Sequence, residues 1–143
     1  MHIAASSRED TYTYVPDTFG WRPDADYAYI TTNNTIYGTR YTAIPDTGNV
    51  PLVADMSSNI LSEPFDVTKF GVIFAGAQKN IGPAGLCIVI VRRDLMGHED
   101  PKCPKLMSWA LESKNDSMLN TPTRMASTWR AWALSGCKGL GRR

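Results

Sequence analysis

An α/β fold built on a mixed, mostly parallel sheet is what this sequence of 143 residues predicts. Three observations carry that expectation. Short apolar runs, several rich in β-branched residues, recur through the first two thirds of the chain. Connections of about a dozen residues separate them, which suits crossovers between parallel strands better than tight hairpins. Two of the runs stop abruptly in small or polar residues, and in open α/β sheets ligand groups sit just past such carboxyl ends.

The elements follow in chain order. "ADYAYITT" (25–32) alternates small or apolar residues with polar ones and reads as a strand. It runs into "NNTIYGT", a polar turn containing a glycine. "TAIPDTGNV" is a loop, broken by Pro45, Asp46 and Gly48. "PLVADMSS" (51–58) is a short buried strand that ends in polar residues, and "KFGVIFAGA" (69–77) is another. "AGLCIVIVRRDLM" (84–96) is the longest run and the most β-branched, and it too is expected to be buried.

Composition narrows the function classes. Hydrophobic residues make up 43% and charged residues 20%, so the chain is an ordinary globular one with enough length for a core. A net charge of +1 gives no sign of a nucleic-acid partner or an anionic membrane surface. No apolar run approaches the ~20 residues of a membrane helix. The start, "MHIAASSRED", has no basic-then-apolar signal pattern. Cys87, Cys103 and Cys137 lie far apart without a C-x-x-C pair, which argues against a disulfide framework and against a metal site. A soluble protein of a reducing, cytoplasmic compartment is the expectation (a plastid, if the source is a plant).

Two strand ends carry the chemistry. Asp55-Met56-Ser57-Ser58 closes one run, and Gly76-Ala77-Gln78-Lys79-Asn80 closes the next. A carboxylate and a lysine at neighbouring strand ends are what pyridoxal phosphate requires. The lysine holds its carbonyl carbon, and the carboxylate keeps its ring nitrogen protonated. Thr35, Ser57, Ser58 and Gln78 are candidates to hold its phosphate and ring oxygen. Spacing alone also allows the plainer reading of a cap aspartate and a solvated turn lysine. "GAQKNIGPAG" is not a nucleotide phosphate loop, because no Gly-Lys-Ser/Thr follows the spacer. His2 and His98 stand near no plausible nucleophile, which disfavours a serine or cysteine hydrolase.

The segment "DMSSNILSEPFDVTKFGVIFAGAQKNIGPAGLCIVIVRRDLMG" closely resembles the cofactor-lysine region of the phosphoserine aminotransferase family, within the class-V, fold-type I pyridoxal-phosphate aminotransferases. The likeness extends back through "YTYVPD", "ADYAYITTNNTIYGT" and "IPD", and forward to "CPKLMSWALESKNDSMLNTP". It covers roughly residues 3–123 and is specific, since related aminotransferases share the lysine and aspartate but not the "AGAQKNIGPAG" wording. The resemblance implies the large cofactor-binding domain of an aspartate-aminotransferase-like fold, present in part over residues 1–123. It implies that Lys79 is the Schiff-base lysine, Asp55 the partner of the ring nitrogen, and Gln78 and Thr35 further cofactor contacts. Asn120 and Thr121 match the pair that reaches across a homodimer to the neighbouring subunit's phosphate. The implied reaction moves an amino group from glutamate to 3-phosphohydroxypyruvate, giving phosphoserine and 2-oxoglutarate in serine biosynthesis.

The likeness stops after "NTPT". "RMASTWRAWALSGCKGLGRR" interleaves tryptophan with arginine and has no coherent apolar face as a helix. One codon choice for Met125 to Gly139, read in a shifted frame, gives an amphipathic segment closer to the family's helix. Residues 124–143 are therefore expected to be a frame-shifted or divergent tail. The family's N-terminal segment and C-terminal small domain, which supply its substrate arginines, have no counterpart in the 143 residues. The chain by itself is accordingly expected to transfer little. Two alternatives are another transaminase of the same fold and a non-catalytic partner of a full-length subunit.

Overall fold

The computed structural model of the chain describes residues 1–121. Residues 122–143, and with them the expected divergent tail, lie outside the described residues. The central feature is a four-stranded sheet in the order β1 (Ala28–Thr31), β4 (Leu52–Asp55), β5 (Val72–Gly76), β6 (Cys87–Val91). The first three strands are parallel, with Ala28 opposite Leu52 and Ala54 opposite Ile73. β6 returns antiparallel to β5, placing Cys87 opposite Gly76. The expected mixed, mostly parallel sheet is what the chain forms.

Between β1 and β4 the segment "NNTIYGT" folds as a small hairpin of β2 (Asn33–Asn34) and β3 (Thr39–Arg40). Its turn has a local cause. The Asn34 carboxamide oxygen accepts the amide hydrogens of Ile36 and Tyr37, and Gly38 closes the turn at φ +70°. The loop before β4 is made in the same way, with Asp46 Oδ1 accepting the Gly48 amide at 2.8 Å. Among the described residues the only α-helix is α1 (Trp109–Lys114), capped by the Ser108 hydroxyl on the Leu111 amide.

Strand alternation decides where the core sits. Ala28 and Ile30, Leu52 and Ala54, Ile73 and Ala75 all fall on one face of the sheet and are buried. Met56, Ile60, Phe70, Ala77 and Ile81 cover that face from the connections, so loops rather than long helices roof the core. Ala54 and Ala75, both fully buried, let those loops come close to the sheet. The opposite face carries Tyr29 and Phe74, whose rings stack with centroids 6.4 Å apart.

The structure differs from the sequence expectation at two points. The strands are shorter than the apolar runs that announce them, because the run ends are spent on turns; β6 occupies five residues, no more than β5. β6 is also an edge rather than a buried strand, with Val89 and Ile90 exposed. β-branched residues favour any pleated surface, so their density does not distinguish a centre from an edge.

Gly71 is closely packed just before β5. A Cβ there would stand 2.9 Å from both Pro51 Cβ and Leu95 Cδ1. Gly71→Ala is expected to cost about 1–3 kcal/mol through overpacking, read as a lowered urea midpoint with an unchanged slope.

Candidate functional site

The C-terminal ends of β1, β4 and β5 lie side by side, and a cleft of about 450 Å³ opens above them. Thr35, Asp55, Ser57, Ser58 and Lys79 line it. Its far wall comes from the N-terminal segment, where Tyr12 and Tyr14 face the sheet end. The volume suits a small organic cofactor.

Asp55 is the last residue of β4, paired to Thr31 on one side and Phe74 on the other. Its carboxylate is aimed by the chain that follows, since Oδ1 accepts the Ser57 amide at 2.8 Å. Oδ2 makes no hydrogen bond among the described residues, so one oxygen orients the group and the other is open to the cleft. Lys79 sits one turn beyond β5. The Ala77 carbonyl accepts the amides of Ile81 (3.3 Å) and Gly82 (2.8 Å), winding residues 77–82 into a single turn with Lys79 on its outer side. Ala77 and Ile81 are buried beneath it, so the turn is anchored while the lysine is exposed. Asp55 and Lys79 share the cleft without forming an ion pair with each other.

The segment 56–60 ties these parts together. The Thr32 hydroxyl reaches the Asp55 carbonyl (3.1 Å) and the Asn59 carboxamide oxygen (2.7 Å). Asn33 Nδ2 donates to Ser58 Oγ at 2.9 Å, and Ser58 Oγ donates to the Asn33 carbonyl at 3.2 Å. Ser57 Oγ accepts the Gly76 amide at 3.0 Å. The two serine hydroxyls, expected from the sequence as candidates to hold a cofactor, are thus engaged in fixing the turns. Thr35, at the tip of the hairpin, is exposed on the cleft.

Other expected residues fall outside this lining. Gln78 folds back on Gly76, its carboxamide so close that a Cβ on Gly76 would meet Oε1 at 2.7 Å. Asn120 and Thr121 are exposed at the end of the described residues, away from the cleft. His2 and His98 contact the carbonyls of Gly20 and Asp94, and neither reaches the cleft. Cys87 and Cys103 are free thiols. Among the described residues no cluster of ligating side chains could hold a metal ion, and no helix is long and apolar enough to cross a membrane.

The sequence reading missed the tyrosines. Tyr12 and Tyr14 are held by a loop in which the Ser7 hydroxyl donates to the Tyr14 carbonyl at 2.7 Å and Thr11 and Tyr12 take positive φ. The sequence carries no local signal for it: Arg8–Asp10 is a single 3₁₀ turn whose N-cap, Ser7, makes no side-chain capping bond. Tyr41 lies between the cleft and a second cavity of about 730 Å³. It extends the stacked pair Phe19 and Trp21, and burial raises its phenol above the usual tyrosine range.

Comparison with known proteins gives a consistent answer. The model of the class-V aminotransferase family matches residues 4–107. A phosphoserine aminotransferase of Herminiimonas arsenicoxydans is 57% identical over 124 residues, covering 85% of this chain and 34% of its own length. Among solved structures, a phosphoserine aminotransferase studied for radiation damage of its Schiff base superposes with a TM-score of 0.92 at 44% identity. That match covers 98% of this chain and 39% of the other. A phosphoserine aminotransferase from Trichomonas vaginalis, described with bound pyridoxal phosphate, matches with a TM-score of 0.79 at 39% identity over 89% of this chain and 35% of its own. The chain therefore spans about a third of the curated relative's length. Its sheet is that of the aspartate-aminotransferase-like fold, and the chain belongs to the class-V aminotransferase family.

Proposed function

We propose that this chain carries the central part of a pyridoxal-phosphate site that serves phosphoserine formation, with glutamate as amino donor and 3-phosphohydroxypyruvate as acceptor. The observation that carries this reading is the meeting of Asp55 and Lys79 in one cleft at the ends of adjacent parallel strands. Its sequence setting supports it, at 57% identity to a phosphoserine aminotransferase.

The donor set fits the cofactor. A carboxylate with one oxygen oriented and one open, an exposed lysine amine and an exposed threonine hydroxyl surround a cleft of about 450 Å³. Pyridoxal phosphate, when bound, supplies an electron-accepting ring that stabilises negative charge at the substrate α-carbon. Asp55 would hold a proton on the ring nitrogen, its orientation set in advance by the Ser57 amide. Lys79 would anchor the cofactor and then, in its neutral form, take the proton from the substrate α-carbon. Thr35 and Gln78 would contact the cofactor, Gln78 at its phosphate. Asn120 and Thr121 would act on the phosphate of a second subunit in a homodimer, which explains why they stand clear of this chain's own cleft. A cytoplasmic setting and a role in serine biosynthesis belong to the same reading; the free thiols suit a reducing compartment.

The test is a chimera in which this chain replaces the matching segment of the Herminiimonas relative. Glutamate-dependent phosphoserine formation is expected from the chimera. Lys79→Ala is expected to abolish it. Asp55→Asn keeps the size but loses the charge, and is expected to retain cofactor while turnover falls by about 10²-fold or more. A chimera that turns over equally well with either substitution contradicts the assignment of both residues.

Gln78→Ala probes the proposed phosphate contact. Gln78 is exposed, so the fold is expected to survive. Cofactor affinity in the chimera, measured by fluorescence titration, is expected to weaken about tenfold, the scale of one charge-assisted hydrogen bond.

A further inference from the structure

We propose that Ser57 and Asn80 are positioning residues, forming a two-point brace that fixes the Lys79 amine relative to the Asp55 carboxylate. The inference rests on the cofactor reading above and assigns roles to two residues that do not themselves carry the chemistry.

Strand pairing alone does not locate the lysine. The ladder between β4 and β5 runs as far as Asp55 opposite Phe74, and the Met56 amide adds one bond to the Phe74 carbonyl at 2.9 Å. Beyond that point β4 leaves the sheet, while β5 stays paired only to β6, through Gly76 opposite Cys87 and the Ala77 amide on the Leu86 carbonyl at 2.9 Å, so the lysine turn has to be placed against 57–60 by other contacts. Two side chains do this. Ser57 Oγ accepts the Gly76 amide at 3.0 Å, just ahead of the lysine turn. Asn80 Nδ2 donates to the Ile60 carbonyl, just behind Lys79. The lysine is therefore held on both flanks to one segment, 57–60, and that segment's own amide at Ser57 orients the Asp55 carboxylate.

Nothing else among the described residues restrains the lysine side chain, which is exposed and makes no hydrogen bond or ion pair. Its position is inherited from the backbone beneath it. Buried Ala77 and Ile81 hold that backbone down, but apolar contacts are not directional. The Ala77 amide ties the start of the turn to β6 through the Leu86 carbonyl, and the two braces direct the turn toward segment 57–60. A displacement of about an ångström between reacting groups costs on the order of a hundredfold in rate, so the braces matter more for chemistry than for stability. Each is worth about 0.5–1.5 kcal/mol as an ordinary hydrogen bond.

The test uses the full 143-residue chain and two readouts. Native-state amide exchange reads the brace directly. Ser57→Ala is expected to speed exchange at Gly76 at least tenfold while Ile73, inside β5, is unchanged; Ser57→Thr keeps a hydroxyl and is expected to restore protection. Asn80→Ala is expected to do the same at Gly82. Should Asn80→Ala lose the sheet's circular dichroism, Asn80→Asp, with the same shape and no donor, carries the test.

The second readout is site-selective labelling. Pyridoxal phosphate condenses with an amine, releasing water, and borohydride reduces the C=N bond to a stable adduct that peptide mapping locates. The native chain is expected to be labelled at Lys79 in preference to its other lysines. Ser57→Ala and Asn80→Ala are expected to lose that preference, and Ser57→Thr to keep it. Preference for Lys79 that survives both alanine substitutions overturns the brace and leaves the cofactor reading standing. Unselective labelling of the native chain, with its amides protected, overturns the cofactor reading and the positioning role with it.

Discussion

The segment 56–60 is the constraint on which the site depends. It leaves the sheet at Asp55 and at once turns its polar side chains toward the neighbouring elements. Asn59 and Ser58 hold the strand end and hairpin that lead to Thr35, and Ser57 holds the end of β5 that leads to Lys79. Its two apolar members, Met56 and Ile60, are buried in the core at the same time. One short stretch therefore anchors itself by burial and spends its remaining groups on placing others. Each bond is small in energy, about 0.5–1.5 kcal/mol, but together they link the carboxylate, the hairpin and the lysine turn through one segment. Among the described residues no buried side-chain polar atom lacks a partner, so the desolvation of these groups is offset by the bonds they make.

The same economy shapes the fold beneath. The core is built on one face of the sheet, with fully buried alanines at the centre of β4 and β5 where the covering loops approach. The second face keeps Tyr29 and Phe74 half-open, and β6 presents Val89 and Ile90 at an edge. Parallel sheets are usually covered on both faces. Among the described residues the exposed ion pairs of Arg22 with Asp24, Arg40 with Glu63 and Arg92 with Asp94 add little to stability, because pairs in water contribute at most about 1 kcal/mol.

Much of this was legible in the sequence where local chemistry decides the structure. The ends of β4 and β5 could be read because apolar alternation stops there in polar or glycine-rich residues. The turn in "NNTIYGT" could be read because Asn34 and Gly38 make it from within, but its closure as a hairpin of β2 and β3 could not. Strand lengths could not, since a run such as "AGLCIVIVRRDLM" keeps its apolar character through residues that the fold spends on turns. The exposure of β6 could not either, because Val and Ile suit an edge and a centre alike. The braces were invisible for a different reason. The hydrogen bonds of Asn33, Ser57 and Asn80 span 25, 19 and 20 positions, and no local pattern marks a polar residue for a distant carbonyl or amide. Ser57 and Ser58, candidates to hold a ligand by their place at a strand end, bond the neighbouring chain in the structure.

The central claim is that one cleft brings Asp55 and Lys79 to opposite ends of the same small molecule. A crystal structure of the protein grown with pyridoxal phosphate tests this most directly. The account expects continuous density from Lys79 Nζ into the cofactor, and a ring nitrogen about 2.7–2.9 Å from the Asp55 carboxylate. A cofactor joined to another lysine, or lying in the cleft with its ring nitrogen turned away from Asp55, would contradict it.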